Sequence, residues 1–174
     1  MDAAVDLFGR HSVAGTSLQM ISDALGLTKS AIYHHFRTRD ELLGAILEPL
    51  VAQLAELLQA VDDVRGARAR ADRMLVGYVS LAVANRRLIP ILRGDPGVVA
   101  YLRTRPEWDA MVRRQLEILA GAEPGVTGQV RAALVMAGIS STVGLPFNGL
   151  DDDGLRDELL STCRRTLGLR APRG

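Results

Sequence analysis

Apolar residues recur every three or four positions along almost the whole of this sequence, and apolar–polar alternation is nearly absent. Leu42, Leu43, Ile46, Leu47, Leu50, Leu54, Leu57 and Leu58 make one sustained stripe, with Pro49 as the point where its helix could bend. That spacing collects side chains on one helical face and leaves no pattern from which to build a sheet. The chain therefore reads as all-α. Further helices are expected over about 67–87, 107–121, 127–144 and 153–167. The breaks between them are "RGDPG", "GAEPG" and "LPFNGLDDDG", each carrying glycine and proline.

Length and composition narrow the function classes. A chain of 174 residues buries one core, or one core and a small appended module. Its net charge of +1 argues for neither nucleic acid nor membrane, so local charge has to decide. Cys163 is the sole cysteine, which excludes an internal disulfide and fits a reducing compartment, the cytoplasm. The start lacks a signal-peptide pattern. The longest uncharged stretch, between Arg131 and Asp151, is interrupted by serines, a threonine, an asparagine and a proline. It reads as a packed helix rich in small residues, not as a membrane span.

The N-terminal fifty residues are more specific. "MDAAVDLFGRH" repeats apolar residues at Ala4, Leu7 and Phe8, then breaks at "SVAG". Thr16 is the expected N-cap of a second helix, with Gln19 completing a capping box. Leu18, Ile21 and Leu25 share one face, and Gly26 stops the helix. Thr28 caps a third helix through Phe36, with Ile32 and Phe36 turned inward. Two short helices joined through Gly26, Leu27 and Thr28 make a helix-turn-helix.

The outer face of the third helix carries Ser30, Ala31, Tyr33 and His34, with Lys29 at its exposed start. Between Thr28 and Arg39 stand Lys29, Arg37, Arg39 and two histidines, and no acid. A compact positive surface on a near-neutral chain suits phosphate, and a helix N-terminus adds free N–H donors. Small and polar side chains there would meet base edges, while Tyr33 and the cations grip the backbone. A solvated charged face is the plainer alternative. His34 and His35 are adjacent and do not face each other on a helix, so no metal site is expected of them. No cofactor is expected either.

"TSLQMISDALGLTKSAIYHHFRTRDELLGAIL" resembles the DNA-binding segment of tetracycline-repressor (TetR) family regulators, and "DAAVDLFGRHSVAGTS" resembles that family's first helix and turn. The resemblance covers about residues 1–47. It implies Lys29, Ser30, Ala31 and His34 in the major groove, a thymine methyl being a fit partner for the Ala31 methyl. Tyr33, His35 and Arg39 would hold phosphates, with Thr28 at the helix start and Ser17 and Gln19 touching the backbone from helix two. Family members usually carry several residues, often basic, before the first helix. This sequence starts almost inside it, so either that arm is absent or the true N-terminus is omitted.

The resemblance also implies a division into a helix-turn-helix DNA-binding domain, 1–47, and a helical effector-binding and dimerisation domain, 48–174, sharing a helix. One short recognition helix reads too few base pairs, so a homodimer on a palindromic operator in double-stranded DNA is expected. Ala133, Ala137, Ser141 and Gly144 would let a partner backbone approach, and Leu155, Leu159 and Cys163 would supply an apolar seam. Packing within one subunit is the alternative. Met74, Tyr78, Leu81 and Asn85, and Trp108, Met111, Val112 and Gln115, recur at helical spacing. They are either plain core or the wall of a cavity for a small hydrophobic effector, the polar tips favouring the cavity. The expected function is a ligand-released repressor. A dimeric ligand- or partner-binding protein without DNA binding is the alternative. No nucleophile–base pair, phosphate loop or carboxylate cluster supports an enzyme.

Overall fold

A computed structural model describes residues 1–169, and all of its regular structure is helical. The last five residues of the expected C-terminal domain lie outside the described ones. Three short helices come first: α1 (Asp2–Gly15), α2 (Leu18–Ala24) and α3 (Lys29–His35). The long α4 (Arg39–Asp62) leads from them into α5 (Ala67–Ala84), α6 (Ile89–Gly94) and α7 (Pro96–Arg103). The bundle closes with α8 (Pro106–Ala120), α9 (Val126–Thr142) and α10 (Asp152–Leu167). Among the described residues no helix is long and apolar enough to cross a membrane.

The apolar stripe of α4 is buried from Leu42 to Val61, which joins the N-terminal helices to the larger bundle through one continuous element. Pro49 stands exposed inside it without ending it. α5 is the central helix of the bundle and packs on α4, α8 and α10. Ala71, Met74, Leu75, Val79, Ala82 and Val83 are buried on it, so more than one of its faces is covered.

Capping explains the N-terminal boundaries, and three expectations are corrected there. Ser17, not Thr16, caps α2, its hydroxyl accepting the Met20 N–H at 3.1 Å. Thr16 is buried and donates to the Ser12 carbonyl at 2.7 Å. Gln19 closes no capping box, because its amide donates forward to Asp23 at 2.7 Å. At the other end Gly26 adopts φ 66°, and Gly26 and Leu27 donate back to Asp23 and Ser22. This is a Schellman motif, which needs a left-handed residue at Gly26. Leu25 does not share the buried face of Leu18 and Ile21. It precedes that turn and is 46% exposed.

Two helices were not legible as such. "RGDPG" is not a plain break but a junction, with Asp95 ending α6 and capping α7. The Asp95 carboxylate accepts from Gly97 and Val98, and Pro96 fills the first helical position, where no N–H is needed.

Candidate nucleic-acid interface and internal cavity

Thr28 fixes the start of α3, its hydroxyl oxygen accepting the Ala31 N–H at 3.3 Å and lying 3.1 Å from the Ser30 hydroxyl. Ile32 is buried and Phe36 half-buried against the core, which turns the opposite face outward. Lys29, Ser30, Tyr33, His34 and His35 are exposed on it, and Ala31 is half-buried at its edge. The Lys29 ammonium sits 5.6 Å from the centre of the Tyr33 ring, a cation–π contact that links the helix start to the following turn. The His34 and His35 rings meet edge to face at 5.3 Å. Among the described residues no group of three His, Cys, Asp or Glu side chains could hold a metal ion.

Arg39 and Gln19 stand differently from the exposed set. Arg39 is half-buried and donates from Nη1 to the Ala14 carbonyl at 2.8 Å, tying the start of α4 to the end of α1. That bond occupies Nη1 alone, and Nε is buried without a partner. Arg37 is the exposed cation at this end. Thr38 caps α4 through the Glu41 N–H, and the Glu41 carboxylate returns to the Arg37 N–H at 2.7 Å. That Thr-x-x-Glu spacing was readable in the sequence and marks where the chain turns outward. Ser17 is exposed beside α3, whereas the Gln19 amide is spent within α2.

A cavity of 370 Å³, open to solvent on one side, lies between α4, α5, α6, α7, α8 and α9. Of the residues expected to line it, Tyr78, Leu81, Trp108, Val112 and Gln115 do. Met74 does not, being fully buried in the core. Asn85 turns its amide back to the Leu81 carbonyl at 2.8 Å and finishes α5, and Met111 packs against the core away from the cavity. Sequence reasoning missed Arg93, Arg103 and Asp109, because the first two lie on α6 and α7. Burial pushes the Tyr78 phenol above its ordinary value, and the Ser140 hydroxyl and Arg93 charge beside it partly oppose that rise.

The face expected to meet a partner is divided. Ala133, Ala137 and Ser141 are exposed along α9, and the Ala137 carbonyl and the Ser141 hydroxyl accept from Arg93 of the same chain. Gly144 serves the subunit's own packing: a Cβ there would lie 2.3 Å from Pro90. Leu155, Leu159 and Cys163 are buried against the core, so they form the floor of the α9–α10 groove and not its outer surface. The outer surface is apolar through Val126, Val130 and Leu134, with Leu145 and Phe147 beyond them. Their spacing of four along α9 was the signal in the sequence, masked by the neighbouring small residues.

Comparison with known proteins gives the arrangement a context. Residues 1–46 match the family described as bacterial regulatory proteins, tetR family. The HTH-type transcriptional repressor Rv3405c of Mycobacterium tuberculosis is 34% identical over 86 residues, 45% of this chain and 46% of that protein. The chain thus spans about half the length of the curated relatives it matches first. SCO3833 of Streptomyces coelicolor A3, a TetR-family regulator, superposes with a TM-score of 0.66 at 27% identity, over 98% of this chain and 90% of that one. AibR, solved with isovaleryl coenzyme A and operator DNA, superposes with a TM-score of 0.67 at 22% identity, over 92% and 93% of the two chains.

Proposed function

We propose that the chain is a TetR-family transcriptional regulator, a homodimeric repressor released from its operator by a small ligand, a reading supported by the family match over residues 1–46 and by the similarity to Rv3405c and SCO3833. The observation that carries this reading is the exposed face of α3, where Lys29, Ser30, Tyr33 and His34 stand together with no acid among them. Lys29 at the helix start and Tyr33 one turn on grip phosphate, and Ser30, Ala31 and His34 read base edges. Ser17 supports the backbone from α2. Arg39 ties the start of α4 to the end of α1 through Nη1 and keeps Nη2 for a phosphate.

Two heads are needed for a usable site, spaced about one helical turn, roughly 34 Å, apart. The apolar ridge of Val126, Val130 and Leu134 is the surface through which two copies pair. The cavity takes the ligand; AibR, which shares the fold, was solved with isovaleryl coenzyme A and operator DNA. α6 and α7 line that cavity, and their junction residue Asp95 holds Val13 of α1, so a ligand that displaces them tilts the head. Such a ligand acts only through its differential affinity for the two states, typically about 1–3 kcal/mol.

A gel shift of the full chain on the DNA flanking its own gene tests the reading. The expected result is a sequence-preferring complex that weakens steeply with salt. A chain that binds no fragment in a genomic pull-down at low salt is not a DNA-binding regulator, and a ligand-binding dimer without DNA binding then takes its place.

A further inference from the structure

The cavity is apolar along most of its length but polar in two separate places. Gln115 lies at one of them, 2% exposed, and its side-chain Nε2 has no hydrogen-bond partner. A buried amide N–H without an acceptor is unfavourable and uncommon. An oxygen brought by a bound molecule would satisfy it.

The other place is the solvent-exposed part of the wall, the mouth, to which Arg93, Arg103 and Asp109, all exposed, contribute. Neither arginine makes an ion pair among the described residues. Arg93 is also held in place: its Nη1 donates to the Ala137 carbonyl at 2.7 Å and to the Ser140 and Ser141 hydroxyls at 2.9 and 2.5 Å. Those contacts leave Nη2 and Nε for something else. Two guanidinium groups against one carboxylate make the mouth cationic.

Between these places the wall is aliphatic, with Leu81, Leu102, Val112 and Met136 among its residues. Trp108, beside the mouth, and Gln115 are seven residues apart on α8, a span of about 10 Å. We propose that the effector is an amphipathic monoanion: a medium-chain aliphatic acid with its carboxylate at Arg93 and Arg103 and an oxygen acceptor near its far end for Gln115. This rests on reading the cavity as the effector site and deepens it to a chemical class. A neutral hydrophobe would leave both the mouth and Gln115 unmatched, and a cation would meet two arginines.

Trp108 is the only tryptophan in the sequence and lines the cavity, so its emission reports occupancy without DNA. The full chain is titrated with octanoate, octanol and the ω-hydroxy derivative of octanoate. Octanoate is expected to bind about tenfold more tightly than octanol, and the ω-hydroxyl to add roughly a further fivefold. The double variant Arg93→Met, Arg103→Met, altered only at exposed positions, should lose the preference for the acid. Gln115→Leu should lose the preference for the ω-hydroxyl and keep that for the acid. Equal binding of acid and alcohol, no gain from the ω-hydroxyl, or no saturable change with any of the three overturns the proposal. Because the readout needs no DNA, these failures are distinct from a failed gel shift.

Discussion

The backbone N–H of Val13 donates to the Asp95 carboxylate at 2.5 Å, across 82 positions of sequence. Asp95 is buried, 6% exposed, and its other oxygen accepts from Gly97 and Val98 at 2.7 and 3.3 Å. One carboxylate therefore caps α7 and anchors α1. The nearby ion pair of Arg87 with Asp6 is exposed and makes a weaker second tether. Asp95→Ala removes both the cap and the anchor and leaves the Val13 N–H unmatched. We expect it to cost about 2–3 kcal/mol in urea unfolding at fixed protein concentration. DNA affinity in the variant should no longer respond to the effector. Asp95→Asn, which keeps one acceptor for the cap, should lose less.

Ser12 is where α1 yields to make that contact. Its φ of 64° and ψ of 165° lie in a region essentially reserved for glycine, and helical geometry breaks there. The break releases the Val13 N–H from the helix and turns it to Asp95. Ser12→Gly removes the strain, at the loss of an exposed hydrogen bond to the Gly15 N–H. We expect a gain of about 1 kcal/mol, seen as a rise in Tm of roughly 2–4 °C. A fall in Tm would mean that the serine side chain matters more than the backbone.

How much of this was legible follows from what periodicity reports. Thr28, Gly26, Ile32 and the α4 stripe were readable because caps, turns and amphipathic faces are local. The Asp95 junction was not, because Gly94, Pro96 and Gly97 around it have the composition of a break. What makes them a structured link is a carboxylate meeting a backbone 82 residues away. The cavity wall was half legible for the same reason: helical spacing finds the face with Trp108, Val112 and Gln115, but not that Arg93 arrives from another helix. The Arg39 contact with the Ala14 carbonyl was not readable either, because sequence spacing carries no information about it.

The two kinds of contact on α3 should separate by measurement. Lys29→Ala is expected to weaken binding to all DNA sequences and to lower the magnitude of the log–log salt slope by about one. His34→Ala should instead flatten the preference among operator variants, by about 1–3 kcal/mol at the bases it meets. Competition gel shifts over a salt series read both. If neither substitution alters binding to the operator, α3 does not enter the groove.

Stability should also depend on alkaline pH. Burial raises the Cys163 thiol and the Tyr78 phenol above their ordinary values of 9.0 and 10.0. The unfolded chain releases each proton near that ordinary value, whereas the native chain retains it to higher pH. Across that window the native state binds more protons, so its stability falls as pH rises. These groups should contribute no slope between about pH 7 and 8, and a decline beginning near pH 9. Cys163→Ala and Tyr78→Phe should each make the decline in Tm shallower, although the alanine lowers Tm overall by leaving a cavity.

Leu134 is 62% exposed on α9, in line with Val126 and Val130 at 73% and 52%. Leaving such a ridge in water is unfavourable, and in the proposed dimer a second copy would cover it by a two-fold contact. A charge at its centre would be desolvated on pairing without a partner. Leu134→Glu is therefore expected to shift the chain from a dimer to an 18.8 kDa monomer in sedimentation. Because position 134 is exposed within the subunit, far-UV helicity should be retained. The monomer places one head on one half-site, so operator affinity should fall by about a hundredfold or more. A variant that remains dimeric would move the interface elsewhere on α9 or α10, and one that is monomeric yet binds the operator as tightly would show that the two heads do not act together.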